Sequence, residues 1–211
     1  MNTKQIFTLI FALCCLINLT LIAQAQQKVQ TNTQQFKLDL TKSKILWKAP
    51  KNHGGSSHFG FILFNSGNMI AESSGQPTSA TFVINMNSIS STDRAEQKEN
   101  LKLDLQLKSA DFFDVARFQT AVMIVKKIAP TKVPSVFAIT GDLTMKGVTN
   151  TIYFNATIKR NANQIRITAN FQIDRLKWNV KNMDGNFFGE VKNMFIEEQV
   201  PITLDLLFTK M

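Results

Sequence analysis

Several stretches of the chain alternate apolar and polar residues with the period of two that a β-strand produces. The opposite face of each stretch carries mostly Asn, Thr, Lys, Arg and Gln. With further strands at 44–47 and 59–64, the pattern predicts about eight strands. The alternating apolar positions are Phe82, Ile84 and Met86; Phe137 and Ile139; Ile152, Phe154, Ala156 and Ile158; Ile165, Ile167, Ala169, Phe171 and Ile173; and Ile202, Leu204 and Leu206.

Turn-forming residues separate these stretches, at 66–68, 75–77, 130–134, 146–147, 161–163 and 184–186. Short connections of this kind favour antiparallel pairing. One segment departs from the pattern, because residues 93–110 contain several good helix formers. Thr92 or Asp93 could cap its start. We expect a helix, or two short helical turns, ending near Ser109.

One-sided alternation is compatible with a sandwich, a soluble barrel or an outer-membrane barrel. The chain has 17 Phe but only one Tyr and two Trp, whereas the aromatic girdles of membrane barrels are usually rich in Tyr and Trp. We therefore expect an all-β protein, an extended antiparallel barrel of about eight strands with one helical crossover near residues 93–110. Such a barrel encloses room for side chains or one small ligand.

The N-terminus has the pattern of a signal peptide. Lys4 precedes an apolar run over 6–22, and Ala23-Gln24-Ala25 provides a small-x-small cleavage site. A retained membrane anchor is the alternative. We expect a signal at 1–25, a flexible leader at 26–35 and one domain at 36–211. Cys14 and Cys15 would leave with the signal, so the exported chain would contain no cysteine.

The formal net charge is +9, and it becomes +8 when Lys4 is removed with the signal. The basic residues are spread along the chain in pairs such as Lys126-Lys127, without the basic arm or helical stripe that is typical of nucleic-acid binders. The charge therefore predicts a solvated basic surface and no nucleic-acid partner.

Four ordered segments resemble the YceI-like family of exported, polyisoprenoid-binding, lipocalin-like bacterial proteins. The segment at 141–152 resembles the family signature GDLTxxGVTxPV, and 107–113 resembles its HLRSADFF segment. The segment 82–93 is similar to a family strand and its exit, and 173–178 is similar to a later strand. His58-Phe59-Gly60 and Asn186-Phe187-Phe188 add shorter matches. Gln106 replaces the histidine of the second segment, so no role of that imidazole transfers.

This resemblance implies a lipocalin-like barrel whose tunnel holds a long isoprenoid chain, such as an isoprenoid quinone or a polyprenyl phosphate. His58, Arg175 and Lys177 are candidates for binding the head group, although each could also be an ordinary surface residue. The candidate tunnel residues could also simply fill a core; they are Trp47, Ile62, Phe64, Phe82, Ile84, Met86, Phe112, Phe113, Met123, Phe137, Ile139, Leu143, Met145, Phe154, Phe171, Ile173, Phe187, Phe188, Ile202 and Leu204.

The sequence gives little support to catalysis. His53 and His58 lie near Ser56 and Ser57, but the chain has no Gly-x-Ser-x-Gly elbow and no phosphate-binding Gly-x-x-x-x-Gly-Lys motif. Two histidines without a nearby carboxylate make a poor metal site. We expect no catalytic residue, no metal and no cofactor other than a bound isoprenoid lipid.

The expected function is thus non-catalytic storage or transport of an isoprenoid lipid or quinone, with a role in stress response. The alternative is an exported module that binds an anionic surface or another amphiphile such as a fatty acid. Transient membrane contact and a homodimer are further expectations, the latter from the resemblance alone. The expected compartment is the periplasm, or the exterior if the host lacks an outer membrane.

Overall fold

Nine strands, one α-helix and one 3-10 helix make up the part of the chain that the computed structural model describes, which is residues 33–50, 57–181 and 197–211. The helices are α1 (Gln97–Lys108) and the 3-10 helix Arg175–Trp178. The strands are β1 (Thr33–Leu38), β2 (Lys44–Ala49), β3 (His58–Glu72), β4 (Pro77–Ser91), β5 (Thr120–Pro130), β6 (Val136–Met145), β7 (Val148–Arg160), β8 (Gln164–Asp174) and β9 (Gln199–Lys210).

The strands close into an antiparallel barrel with eight strand positions. Neighbours follow the order β3, β2, β9, β8, β7, β6, β5, β4, and β4 pairs back with β3. β1 continues the line of β2, since both run antiparallel to β3 and both pair with β9. The expected all-β barrel of about eight strands is therefore confirmed.

The expected helical crossover is also present. α1 lies between β4 and β5 and ends at Lys108, with Ser109 as its C-cap, close to the expected end; its N-cap is Glu96, which makes no side-chain capping bond. The prediction that Thr92 or Asp93 caps the helix is wrong, because the Asp93 carboxylate bonds His58 instead. The expected leader is also too long by three residues, since β1 begins at Thr33.

Turn residues predicted most of the strand ends but failed at 66–68. Lys146 and Gly147 form the β6–β7 turn with positive φ angles of 50° and 75°, a conformation that glycine adopts without strain. Gly67, by contrast, lies inside β3, where the register shifts between Phe64 and Ser66. A Cβ atom at Gly67 would lie 2.8 Å from that of Leu38. The glycine therefore allows close strand packing here, and the chain does not turn.

A buried carboxylate fastens α1 to the barrel. Asp104 is 6% exposed and accepts hydrogen bonds from the Ser91 backbone N–H (2.6 Å), the Ser91 hydroxyl (2.7 Å) and the Ser90 hydroxyl (3.1 Å). Leu103 and Leu107, on the same side of the helix, are buried in the core. The helix is thereby held against the end of β4. Neither helix in the three described ranges has the length and hydropathy of a membrane span.

We expect Asp104→Ala to lower the free energy of unfolding by about 3 kcal/mol, because it leaves buried donors on β4 without their charged acceptor. Urea denaturation followed by circular dichroism measures this. Asp111→Ala, which removes an exposed carboxylate from the segment after α1, should change stability by less than about 0.5 kcal/mol. If both variants lost the same free energy of unfolding, Asp104 would not be fastening α1 to β4 through its hydrogen bonds.

Candidate functional site

The barrel encloses an apolar cavity, here called the main cavity, with a volume of about 130 Å³. All 25 described residues that line it are apolar, and they come from β2 to β9. The alternation of each strand explains this lining, because it turns every second side chain inward. Those named from the sequence as tunnel residues are Ile62, Phe64, Phe82, Ile84, Met86, Met123, Ile139, Leu143, Met145, Phe154, Phe171, Ile173, Ile202 and Leu204.

The remaining eleven lining residues were not named from the sequence as tunnel residues. Ile152, Ala156, Ile158, Ile167 and Leu206 lie on strand faces that the sequence identified as apolar. Sequence reasoning missed another six, four of which lie two residues from a named tunnel residue on the same strand, so that extending the period of two would have found them. The six are Ile45, Met69, Ala80, Ala121, Val125 and Ile128.

A second cavity of about 80 Å³ lies beneath α1, and we call it the helix-end cavity. It shares four walls with the main cavity, Ile62, Met145, Ile173 and Ile202, so the two spaces adjoin. Trp47, Phe112 and Phe113 line this second space and not the main one. The predicted tunnel residues therefore line two adjoining spaces, the main cavity and the helix-end cavity.

His58, the first residue of β3, lines the helix-end cavity. It is 3% exposed, and its Nδ1 lies 2.8 Å from Oδ2 of Asp93. An ionised carboxylate can only accept, so Nδ1 carries the proton in this pair. Arg94 Nε approaches the same carboxylate oxygen at 3.5 Å. A cation and an imidazole thus flank one acidic side chain at this end of the barrel.

Arg175, at the start of the 3-10 helix, is 4% exposed and also lines the helix-end cavity. Its Nε donates to the backbone carbonyl of Glu197 and its Nη1 to that of Val180. Burial lowers the pKa of the guanidinium, while nearby Glu198 and Asp174 counteract that effect. Arg175 therefore joins the start of β9 to the end of the 3-10 helix. Lys177, the third head-group candidate, is exposed and lines neither cavity.

Other predicted residues lie elsewhere. Phe137 lines a separate pocket at the opposite end of the barrel, together with Lys159 and Arg160. His53, Ser56, Phe187 and Phe188 lie outside the described residues. Within the described ranges, no group of three or more His, Cys, Asp or Glu side chains is placed to hold a metal ion.

The charged groups near the main cavity are on the outer wall. Asp142 on β6 accepts hydrogen bonds from Lys126 and from the Thr151 hydroxyl, and these bonds lower the pKa of its carboxyl group. The inner wall presents Phe and Met side chains, and the rings of Phe154 and Phe171 stack with centroids 4.2 Å apart. The interior can therefore hold hydrocarbon, and none of the described residues that line it offers a hydrogen bond to a polar ligand.

A closed antiparallel barrel around one apolar cavity defines the class of small-ligand-enclosing β-barrels. A model of the YceI-like domain matches residues 28–208. The chain therefore belongs to the YceI-like family. No curated protein matches the chain.

Solved structures share this fold at low sequence identity. BcnA of Burkholderia cenocepacia is 21% identical, with a TM-score of 0.62 over 81% of this chain and 98% of that one. A polyisoprenoid binding domain from Saccharophagus degradans is 16% identical, also with a TM-score of 0.62, over 83% of this chain and 98% of the other. A mutant YceI protein of Campylobacter jejuni is 17% identical, with a TM-score of 0.52 over 70% and 82%.

The His58–Asp93 contact should contribute to stability as a coupled pair. We expect His58→Ala and Asp93→Ala each to lower the free energy of unfolding, and the double variant to lose little more than either, giving a coupling of about 1–2 kcal/mol. Urea denaturation of the four proteins measures the coupling. The exposed pair Glu99 and Lys102 should show no measurable coupling in the same cycle. Additive losses at His58 and Asp93 would contradict the pairing.

Proposed function

We propose that the protein binds the hydrocarbon chain of a long isoprenoid lipid in the main cavity and stores or carries it without chemical change. The observation that carries this proposal is the wholly apolar lining of the main cavity. Each buried methylene contributes about 0.8 kcal/mol, so several isoprene units would be retained without any hydrogen bond. The description of the Saccharophagus degradans domain as polyisoprenoid binding supports the same ligand class.

The flexibility of the lining suits a long, branched chain better than a small rigid molecule. Met69, Met86, Met123 and Met145 all face the main cavity. Thioether side chains have three rotatable bonds and adapt to irregular shapes. A ligand can therefore enlarge the main cavity by changing methionine rotamers, without altering the hydrogen bonds between strands.

The helix-end cavity is the best place for the head group, because His58 and Arg175 are among its lining residues. An isoprenoid quinone and a polyprenyl phosphate are the two head groups that we consider. The bonds of Arg175 to two backbone carbonyls assign it chiefly a structural role. His58 is thus the stronger of the two head-group candidates that line this space.

We further propose that the protein acts after export, in the periplasm or outside the cell, during the response to stress. The signal pattern at 1–25 supports export. A protein with a basic surface would also meet anionic membranes transiently when it collects or delivers its lipid. A fatty acid or an anionic surface remains the alternative ligand.

Purified protein should gain thermal stability when an isoprenoid quinone is added. A ligand present at 100 times its Kd stabilises the folded state by about 2.7 kcal/mol, and scanning calorimetry measures the resulting rise in Tm. Mass spectrometry of a chloroform–methanol extract of protein from its native host should find a prenyl lipid. If extracts contain no prenyl lipid and added quinone leaves Tm unchanged, the proposal fails. A rise in Tm with fatty acid alone would select the alternative ligand.

Filling the main cavity should abolish that stabilisation. Ala156 lines the cavity and is 2% exposed, while Asn155 beside it faces solvent. We expect Ala156→Trp to remove the quinone-dependent rise in Tm, because the indole occupies the ligand's volume, and Asn155→Trp to leave it intact. Circular dichroism checks that both variants are folded. Quinone binding by a folded Ala156→Trp protein would place the ligand elsewhere.

A further inference from the structure

One part of the barrel wall lacks a hydrogen-bonded ladder among the described residues. β7 and β8 pair only where Ala156–Arg160 faces Ile165–Ala169. β7 pairs with β6 through residues 148–157, and β8 pairs with β9 along its whole length. The edges of β7 at 148–155 and of β8 at 170–174 therefore diverge. We call the space between them the β7–β8 slit.

The main cavity reaches this slit. Inward-facing side chains in the paired halves of β7 and β8 are buried, such as Ile158 and Ile167. Where the strands diverge, the inward-facing side chains Ile152, Phe154 and Ile173 are only partly buried, although all three line the main cavity. The exposure of the lining thus increases where the ladder ends.

Two contacts mark the ends of the slit. Phe154 and Phe171, the first inward-facing residues beyond the ladder, stack across it at 4.2 Å with an interplanar angle of 13°. At the other end, Asn150 Nδ2 donates to the Lys177 backbone carbonyl at 2.8 Å. Trp178 is 1% exposed and donates its indole N–H to the carbonyl of Leu143 at 2.9 Å. The slit therefore lies between an aromatic stack and the 3-10 helix.

The barrel has a comparable interruption between β4 and β5, but α1 covers it. The β4–β5 ladder extends from Ala80 to Asn85 on β4. Beyond it, Asp104 bonds Ser90 and Ser91 at the end of β4. Opening at this position would break hydrogen bonds to a buried carboxylate, whereas opening the β7–β8 slit requires new rotamers of two phenylalanines and at most the loss of the exposed Asn150–Lys177 hydrogen bond. The β7–β8 slit is therefore the easier place to open.

The outer edges of the slit are uncharged from the aromatic stack up to Asp174, the last residue of β8. Thr151 and Tyr153 on β7, and Asn170 and Gln172 on β8, are exposed there. Tyr153 is 73% exposed and is the only tyrosine of the chain. A hydrocarbon chain crossing these edges would not strip water from a fixed charge, which would be costly.

We propose that the β7–β8 slit is the portal through which the hydrocarbon chain of the lipid enters and leaves the main cavity, with Phe154 and Phe171 as its gate. This portal rests on the proposed function, since it requires a lipid in the main cavity. The portal goes beyond that function by naming the route of entry, which a measurement of equilibrium binding alone does not reveal. A change that acts only on the barrier to passage alters the loading and release rates in the same proportion and leaves Kd unchanged.

The test is a tether across the slit. The variant carries Tyr153→Cys and Gln172→Cys, and its Cys14 and Cys15 are changed to serine. A short bismaleimide then joins the two introduced thiols. Loading of ubiquinone-10 from phosphatidylcholine vesicles is followed by quenching of tryptophan fluorescence, since Trp47 lines the helix-end cavity. We expect loading and release to slow by about tenfold or more, with Kd unchanged within about twofold.

The matched control is a tether across the paired half of the same two strands. Thr157→Cys and Thr168→Cys replace two residues that are register partners in the β7–β8 ladder, and the same reagent should leave both rates unchanged. Phe154→Ala in the untethered protein should speed loading by about tenfold and release by more, because Phe154 also lines the main cavity and its loss weakens binding. Phe82→Ala, on the cavity wall away from the slit, should weaken binding without faster loading.

The outcomes separate the portal from the proposed function. Unchanged rates in the tethered slit, with binding intact, overturn the portal alone. Faster exchange in Asp104→Ala, with no effect of the tether, would place the route under α1 and also overturn it. If the untethered protein takes up no ubiquinone-10 at all, the proposed function fails for this ligand and the portal fails with it.

Discussion

Closure of the sheet by the pairing of β3 with β4 is the constraint on which the other features depend. A barrel of eight strand positions has an interior only just wide enough for side chains. The size of each inward-facing residue therefore decides whether the centre is filled or hollow. Here alanines at positions 80, 121 and 156 stand among larger residues on the inner wall, and they leave space that bulkier side chains would occupy.

The end of the barrel near α1 and the middle of the barrel are stabilised by different interactions. At the end near α1, buried polar side chains are hydrogen-bonded within the protein: Asp104 to the serines of β4, His58 to Asp93, and Arg175 to backbone carbonyls. These bonds hold the helix and the 3-10 segment around the helix-end cavity. The middle of the barrel contains no such groups on its inner wall, so its stability depends on packing and on the ladders. A cavity there weakens packing but leaves the hydrogen bonds intact, which is why the barrel can tolerate it.

The sequence was most informative where a property repeats along one strand. Alternation predicted the inward faces of β7, β8 and β9 residue by residue, because a strand places every second side chain on the same side. It failed where the outcome depends on distant partners. Ser66-Gly67-Asn68 has the local chemistry of a turn, but packing of Leu38 against Gly67 keeps the strand continuous. Asp93 has the chemistry of a helix cap, but His58, 35 residues earlier in the chain, binds it.

The position of β9 has a consequence for how the chain reaches this structure. β9 supplies the partner edge for β8 and, on its other side, for both β2 and β1. The first two strands of the barrel therefore have one unpaired edge until Lys210 has been synthesised. Contacts of such wide sequence separation form late and slowly. The barrel must consequently fold after translation of its last strand and cannot close progressively from the N-terminus.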